Sequence, residues 1–317
     1  MNHLEAYIQS LAVEVRTGDA RALARAISIV ENRSEGWIGF LKAIFPATGK
    51  AKIFGLTGAP GAGKSTLVDQ LSLHYRKDNH RVGIVAVDPT SPYSGGAILG
   101  DRIRMQRHFA DSGIYIRSMA TRGALGGVAS ATADVATVLD ASGRDLILIE
   151  TVGVGQDEVD IVRLADVTVV ILVPGMGDDV QSIKAGIMEI ADIFVINKSD
   201  YDGAERVERE IKALQSLAVR KDEWTPPIVK TVASEGKGIE ELAAVIRSYE
   251  DHLQKNNLLL RRQTHNWEGR LIEMLRDSLL EKARTSLSDE TLAQYAAEIA
   301  AHKRDPYSTV EEIAKNL

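Results

Sequence analysis

A doubly wound α/β fold, with a mostly parallel sheet and helical extensions at both ends, is predicted by three features of the sequence. Short apolar runs alternate with helical stretches through the middle of the chain, which is the strand–helix–strand rhythm of layered α/β proteins. Several of those runs are continuously apolar, as parallel strands covered on both faces must be. A glycine-rich turn sits between the first run and the first long helix of this region.

Taken in order, residues 1 to 50 carry Leu11, Val15, Leu23, Ile27 and Val30 at helical intervals, predicting a helical extension of two or three helices. Pro46, Thr48 and Gly49 break that pattern, and Ala51 to Thr57 reads as a buried strand. Strands follow at Val82 to Val87, Ile114 to Met119, Leu146 to Ile149, Val167 to Val173, Ile193 to Ile196 and Ile228 to Val232. Together residues 51 to 250 are expected to form the central domain. Beyond it the period is helical only: Leu242, Ile246, Tyr249 and Leu253, then Trp267, Leu271, Leu275 and Leu279. Residues 251 to 317 are therefore expected to be a helical arm, whose apolar stripe either packs on the main domain or pairs with a second copy. Ser308, three residues before Glu311, is the expected cap of a last short helix. The three tryptophans are read as packing residues.

The chain has 317 residues with a formal charge of −6, which disfavours a general nucleic-acid or anionic-membrane binder. It has no cysteine, excluding disulfides, thiolate metal sites and a cysteine nucleophile. No apolar run reaches the roughly 18 residues of a membrane span, and the N-terminus lacks a secretory pattern. A cytoplasmic protein is expected. Its histidines show no i, i+4 pair for a helical metal site.

The chemistry is carried by short motifs. Gly58-Ala59-Pro60-Gly61-Ala62-Gly63-Lys64-Ser65 matches G-x-x-x-x-G-K-[ST], the P-loop, directly after a strand and before a helix. Glycines let backbone N–H groups converge on phosphate oxygens, the helix N-terminus favours anions, Lys64 reaches the outer phosphates, and Ser65 holds Mg²⁺. Thr66 continues that cradle. Asn197-Lys198-Ser199-Asp200 follows a strand in the N-K-x-D pattern. The Asp200 carboxylate can accept two hydrogen bonds from guanine that adenine cannot offer, selecting GTP and GDP over adenine nucleotides. Val232-Ala233-Ser234, after the next strand, falls where such proteins close over the base. Glu150-Thr-Val-Gly153 takes the D-x-x-G position, with Glu150 near Mg²⁺ and the Gly153 amide facing the γ-phosphate. Val154 stands where Ras-like enzymes carry a water-orienting Gln, so slow intrinsic hydrolysis, completed by a partner, is expected. Asp88 and Asp101 bracket a Pro- and Gly-rich loop suited to a switch with metal-linked carboxylates. Lys64, Asp101 and Glu150 are the expected catalytic groups.

The set G-A-P-G-A-G-K-S-T, D-P-T-S-P…G-G-A-I-L-G-D-R-I-R-M, E-T-V-G-V-G-Q-D-E and N-K-S-D resembles the MeaB/ArgK family of GTPases over nearly the whole chain. The resemblance implies a homodimeric chaperone of adenosylcobalamin-dependent methylmalonyl-CoA mutase or a related acyl-CoA mutase. Such a protein gates cofactor delivery, protects the mutase, and hydrolyses GTP faster when the mutase is present. It also implies a carboxylate shell of Asp88, Asp101 and Glu150, and a coupling loop carrying Asp178, Gln181 and Lys184. Two other readings are a P-loop kinase acting on a transport-system protein, which N-K-S-D disfavours, and a nickel-handling GTPase, for which no metal relay is visible.

Overall fold

The computed structural model describes residues 3–88, 111–120, 127–151, 164–175, 190–216 and 223–315. Three helices open the chain: α1 (His3–Arg16), α2 (Ala20–Glu31) and α3 (Trp37–Ile44). Asp19 caps α2 by accepting a hydrogen bond from the Ala22 amide at 2.7 Å.

Then come β1 (Lys52–Gly58), α4 (Lys64–Lys77), β2 (Val82–Asp88), β3 (Ile114–Ala120), α5 (Gly127–Ala141) and β4 (Leu146–Glu150). The sheet is completed by β5 (Val167–Leu172), β6 (Ile193–Asn197), α6 (Ala204–Gln215) and β7 (Ile228–Thr231). Last are α7 (Ile239–Lys255), α8 (Leu258–Ser286), α9 (Asp289–Ala300) and α10 (Pro306–Lys315).

The seven strands lie in the order β3-β2-β4-β1-β5-β6-β7, and each pairing is parallel. This is the doubly wound sheet of P-loop NTPases. Both faces are buried, and the strand period of two shows in how side chains divide between them. Leu146 and Leu148 of β4 join a cluster with Leu67, Leu71, Leu242, Ile246 and Tyr249 of α4 and α7. Ile147 and Ile149 join the opposite cluster, with Leu11, Leu23, Ile27 and Phe40 of the N-terminal helices and Leu139 of α5. The first three helices therefore complete one face of the sheet, and Arg117 of β3 pairs with Glu31 of α2. A third cluster packs Val207 and Ile211 of α6 on Val170, Leu172, Phe194 and Ile196.

Because the strands are parallel, β1, β4, β6 and β7 all present their carboxyl ends at one edge, where open α/β sheets bind ligands. The other edge is held by a buried polar knot. Asp192 accepts bonds from Arg262 at 2.8 and 3.0 Å, from the Tyr249 hydroxyl at 2.7 Å and from the Thr168 amide at 2.8 Å. Beside it Asp166 accepts from the Ile53 amide and Gln263, and burial raises its pKa.

The chain divides into two units, Met1–Gln263 and Thr264–Leu317. Within the second, Ser288 caps α9 through the Thr291 amide at 3.1 Å, and Arg304 stacks 4.2 Å from the Tyr295 ring while pairing with Glu312. The cap of α10 is Asp305 rather than the expected Ser308: its carboxylate accepts from the Ser308 amide at 2.8 Å. Pro306 explains the shift, since proline favours the first helical position, where no amide partner is needed. Trp224 packs on Tyr249 and donates to the Asp192 carbonyl, whereas Trp267 departs from the expected packing role and is exposed, with Arg270 4.8 Å above its ring.

Candidate functional site

The glycine turn between β1 and α4 is shaped by clearances that only glycine meets. A Cβ on Gly58 would stand 2.2 Å from the Ile171 carbonyl oxygen, and Gly61 and Gly63 have φ of 78° and 88°. Lys64 starts α4 and is buried, its Nζ donating to the carbonyls of Gly58 at 2.8 Å and Ala59 at 3.0 Å. Its ammonium is thus held over the loop whose amides can take an anion. Pro60 and Gly61 are exposed at its rim, and Thr66 is half-buried one residue beyond Ser65.

Ser65 Oγ donates to Glu150 Oε1 at 2.7 Å, with both side chains at least nine-tenths buried. The Leu56–Glu150 register between β1 and β4 delivers that carboxylate to the start of α4. A buried hydroxyl and carboxylate make an oxygen-only donor set, which fits a hard cation such as Mg²⁺ that takes one or two protein oxygens and keeps its waters. Among the described residues, no group of three or more His, Asp or Glu side chains could hold a metal.

Asn197 joins three motifs. Its Nδ2 donates to the Ala62 carbonyl at 2.8 Å, while its Oδ1 accepts from Thr231 Oγ1 at 3.0 Å and the Ala233 amide at 3.1 Å. Lys198, at φ 54°, turns its Nζ back onto the Gly61 carbonyl at 3.0 Å. The 232–237 loop is closed by a bridge between Val232 and Lys237, leaving Ala233 buried and Ser234 exposed. Asp200 is exposed beside it. Lys237 is held above the usual lysine pKa by its hydrogen bond to Glu235, and Asp200 adds to that shift.

The structure therefore brings together the expected residues 58–66, Glu150, Asn197, Lys198 and 232–234, with Asp200 at the rim. Asp88 is the last residue of β2. Asp101, Gly153, Asp178, Gln181 and Lys184 lie outside the described residues. Thr231, which orients Asn197, was not anticipated, and neither was a contact between Thr57 and Thr151. A threonine in an apolar strand has the same β-branched outline as valine, so only the register reveals a polar task.

A family model described as methylmalonyl Co-A mutase-associated GTPase MeaB matches residues 23–288. The chain belongs to the MeaB family of GTPases. A Pyrococcus abyssi relative is 47% identical over 98% of this chain and 97% of its own. GTPase ArgK of Escherichia coli is 36% identical over 80% of each chain. The mouse protein named methylmalonic aciduria type A homolog, mitochondrial, is 40% identical over 73% of this chain and 57% of its own. Among solved structures, one titled LAO/AO transport system kinase superposes with a TM-score of 0.73 at 26% identity, covering 99% of this chain and 98% of that one. This MeaB-family chain is accordingly a guanine-nucleotide-binding, GTP-hydrolysing enzyme. No helix among its described residues is long and apolar enough to cross a membrane.

Proposed function

We propose that this GTPase acts as a nucleotide-driven chaperone of adenosylcobalamin-dependent methylmalonyl-CoA mutase or a related acyl-CoA mutase, gating cofactor delivery and protecting the client. The mutase association in the family's description and the methylmalonic aciduria name of the mouse relative support a mutase client. The observation that carries the nucleotide half of the reading is the Asn197 junction. One side chain ties the phosphate loop to the base-side loop, so that occupancy at either is felt at the other.

In this reading the amides of residues 58–66 take the phosphates, and Lys64 exchanges its carbonyl partners for the β- and γ-phosphate oxygens. Asp200 accepts from the guanine edge, Lys198 lies along the base, and Val232, Ala233 and Ser234 close over it. Ser65 and Glu150, with Asp88 and Asp101, hold Mg²⁺, which when bound neutralises charge developing on the phosphates. Gly153 meets the γ-phosphate, while Asp178, Gln181 and Lys184 carry the nucleotide state to the client. Lys64, Asp101 and Glu150 are the catalytic set. Intrinsic turnover is slow because Val154 offers no water-orienting group. Homodimerisation through residues 251 to 317 is supported by the exposure of Leu271, Ile272 and Leu275; a monomeric mass over a wide concentration range would exclude it.

The deciding experiment is phosphate release from GTP, with ATP as control, with and without methylmalonyl-CoA mutase. Stimulation confined to GTP is the expected result. A flat response removes this mutase as client, and phosphate appearing on a protein or metabolite would favour the kinase reading suggested by the name of the similar solved structure.

A further inference from the structure

The paired ladder between β1 and β4 ends at Leu56 and Glu150. One residue further on, β1 runs through Thr57 to Gly58 and the phosphate loop, while the other strand leaves its ladder at Thr151. At that rung Thr151 Oγ1 donates to Thr57 Oγ1 at 3.0 Å, and the Thr151 amide donates to the Leu56 carbonyl at 3.2 Å. Both residues are buried, Thr57 at 0% and Thr151 at 5% exposure. Valine would fill the same space without hydroxyls to desolvate, as Val170 does at the β5 position paired with Thr57. Two buried hydroxyls bonded to each other therefore form a directional tie rather than a packing contact. The tie lies immediately after Glu150 and immediately before Gly58, whose carbonyl accepts from Lys64.

We propose that Thr57 and Thr151 are positioning residues that hold Glu150 against the phosphate loop and thereby set its contact with Ser65. Without the tie, the end of β4 loses a side-chain restraint one residue from Glu150, and the carboxylate loses its fixed distance from the Ser65 hydroxyl. This inference rests on the reading of Ser65 and Glu150 as the Mg²⁺ site.

The test uses the full chain and a fluorescent GDP analogue, whose release is timed in EDTA and in Mg²⁺, alongside steady-state hydrolysis of GTP. Thr151→Val is expected to bind nucleotide as the parent does in EDTA. Both the slowing of release by Mg²⁺ and kcat should fall by about tenfold, the usual size of an outer-shell loss. Thr151→Ser restores both. Thr57→Val reproduces the defect, and the double valine variant is no worse than either single one, because one bond is lost in all three. Parental Mg²⁺ response in Thr151→Val, failure of serine to rescue, or additive losses in the double variant would each overturn the proposal. Glu150→Gln separates this from the reading beneath it. If that variant keeps the parental Mg²⁺ response, the carboxylate is not at the metal and both ideas fall; if it loses the response while Thr151→Val does not, only the threonine tie falls. A misfolded Thr151→Val would lose nucleotide binding in EDTA as well, and the serine and double variants then decide.

Discussion

Gly63 shows how much one residue determines at this site. Its φ is 88°, and a Cβ there would come 2.4 Å from Asn197 Nδ2, the atom that holds the Ala62 carbonyl. Gly63→Ala is therefore expected to abolish tight GTP binding by displacing Asn197 as well as straining the loop; an unchanged GTP affinity by titration calorimetry would refute this. Lys64→Ala should weaken GTP binding by about 2 kcal/mol through loss of a charge-assisted contact, and equal affinity in the two proteins would argue against its phosphate role. Asp200→Asn should lose the preference for guanine over other bases. That expectation fails if the variant binds GTP as before and still rejects xanthine nucleotides. At this scale the glycines, Lys64 and N-K-S-D were legible because each meets a demand of the local backbone or of the ligand. Thr57, Thr151 and Thr231 were not, since their partners lie on other strands and a threonine among valines carries no local mark.

Between elements, Glu208 on α6 accepts from Lys212 one turn on and pairs with Lys230 of β7. The Lys212 hydrogen bond, then that of Lys230, lower the Glu208 pKa from an ordinary 4.5 to about 2. A lowered folded-state value means stabilisation that is complete above 4.5 and lost as pH falls through about 2. Both lysines are well exposed, so solvent screening limits the gain to about 0.5 kcal/mol. Glu208→Gln should melt slightly below the parent at pH 7, with the gap closing towards pH 2. A gap that is constant with pH would point to packing instead. The strands themselves were readable as apolar runs of strand length. Their spatial order was not, because Lys52 pairs with Leu146 and Phe54 with Val167, and nothing local specifies such distant partners. The cap of α10 was misplaced for a related reason: the Ser308 and Glu311 spacing satisfied the pattern, but Pro306 had already set the first helical position.

Across the molecule, the knot around Asp192 gathers β5, the entry to β6, α7 and the N-terminal part of α8 on one carboxylate. Removing its cation leaves a buried charge, so Arg262→Ala should cost about 3–5 kcal/mol. A melting curve superimposable on the parent's would show that the pair is dispensable. The knot was not legible in the sequence, since Asp192 and Arg262 belong to segments read only for their apolar residues. The sheet order has a consequence for the chain as it is made. β1 is central, bounded by β4 and β5, so the glycine loop leaves the ribosome long before either neighbour exists. At about 5–20 residues per second, that interval is on the order of ten seconds. Asn197 and Thr231 come later still, and the base-side loop is last. During synthesis, guanine nucleotide can stabilise this fold only after nearly the whole sheet has emerged, and an amber-truncated nascent chain ending before Thr231 should gain no protease resistance from GDP.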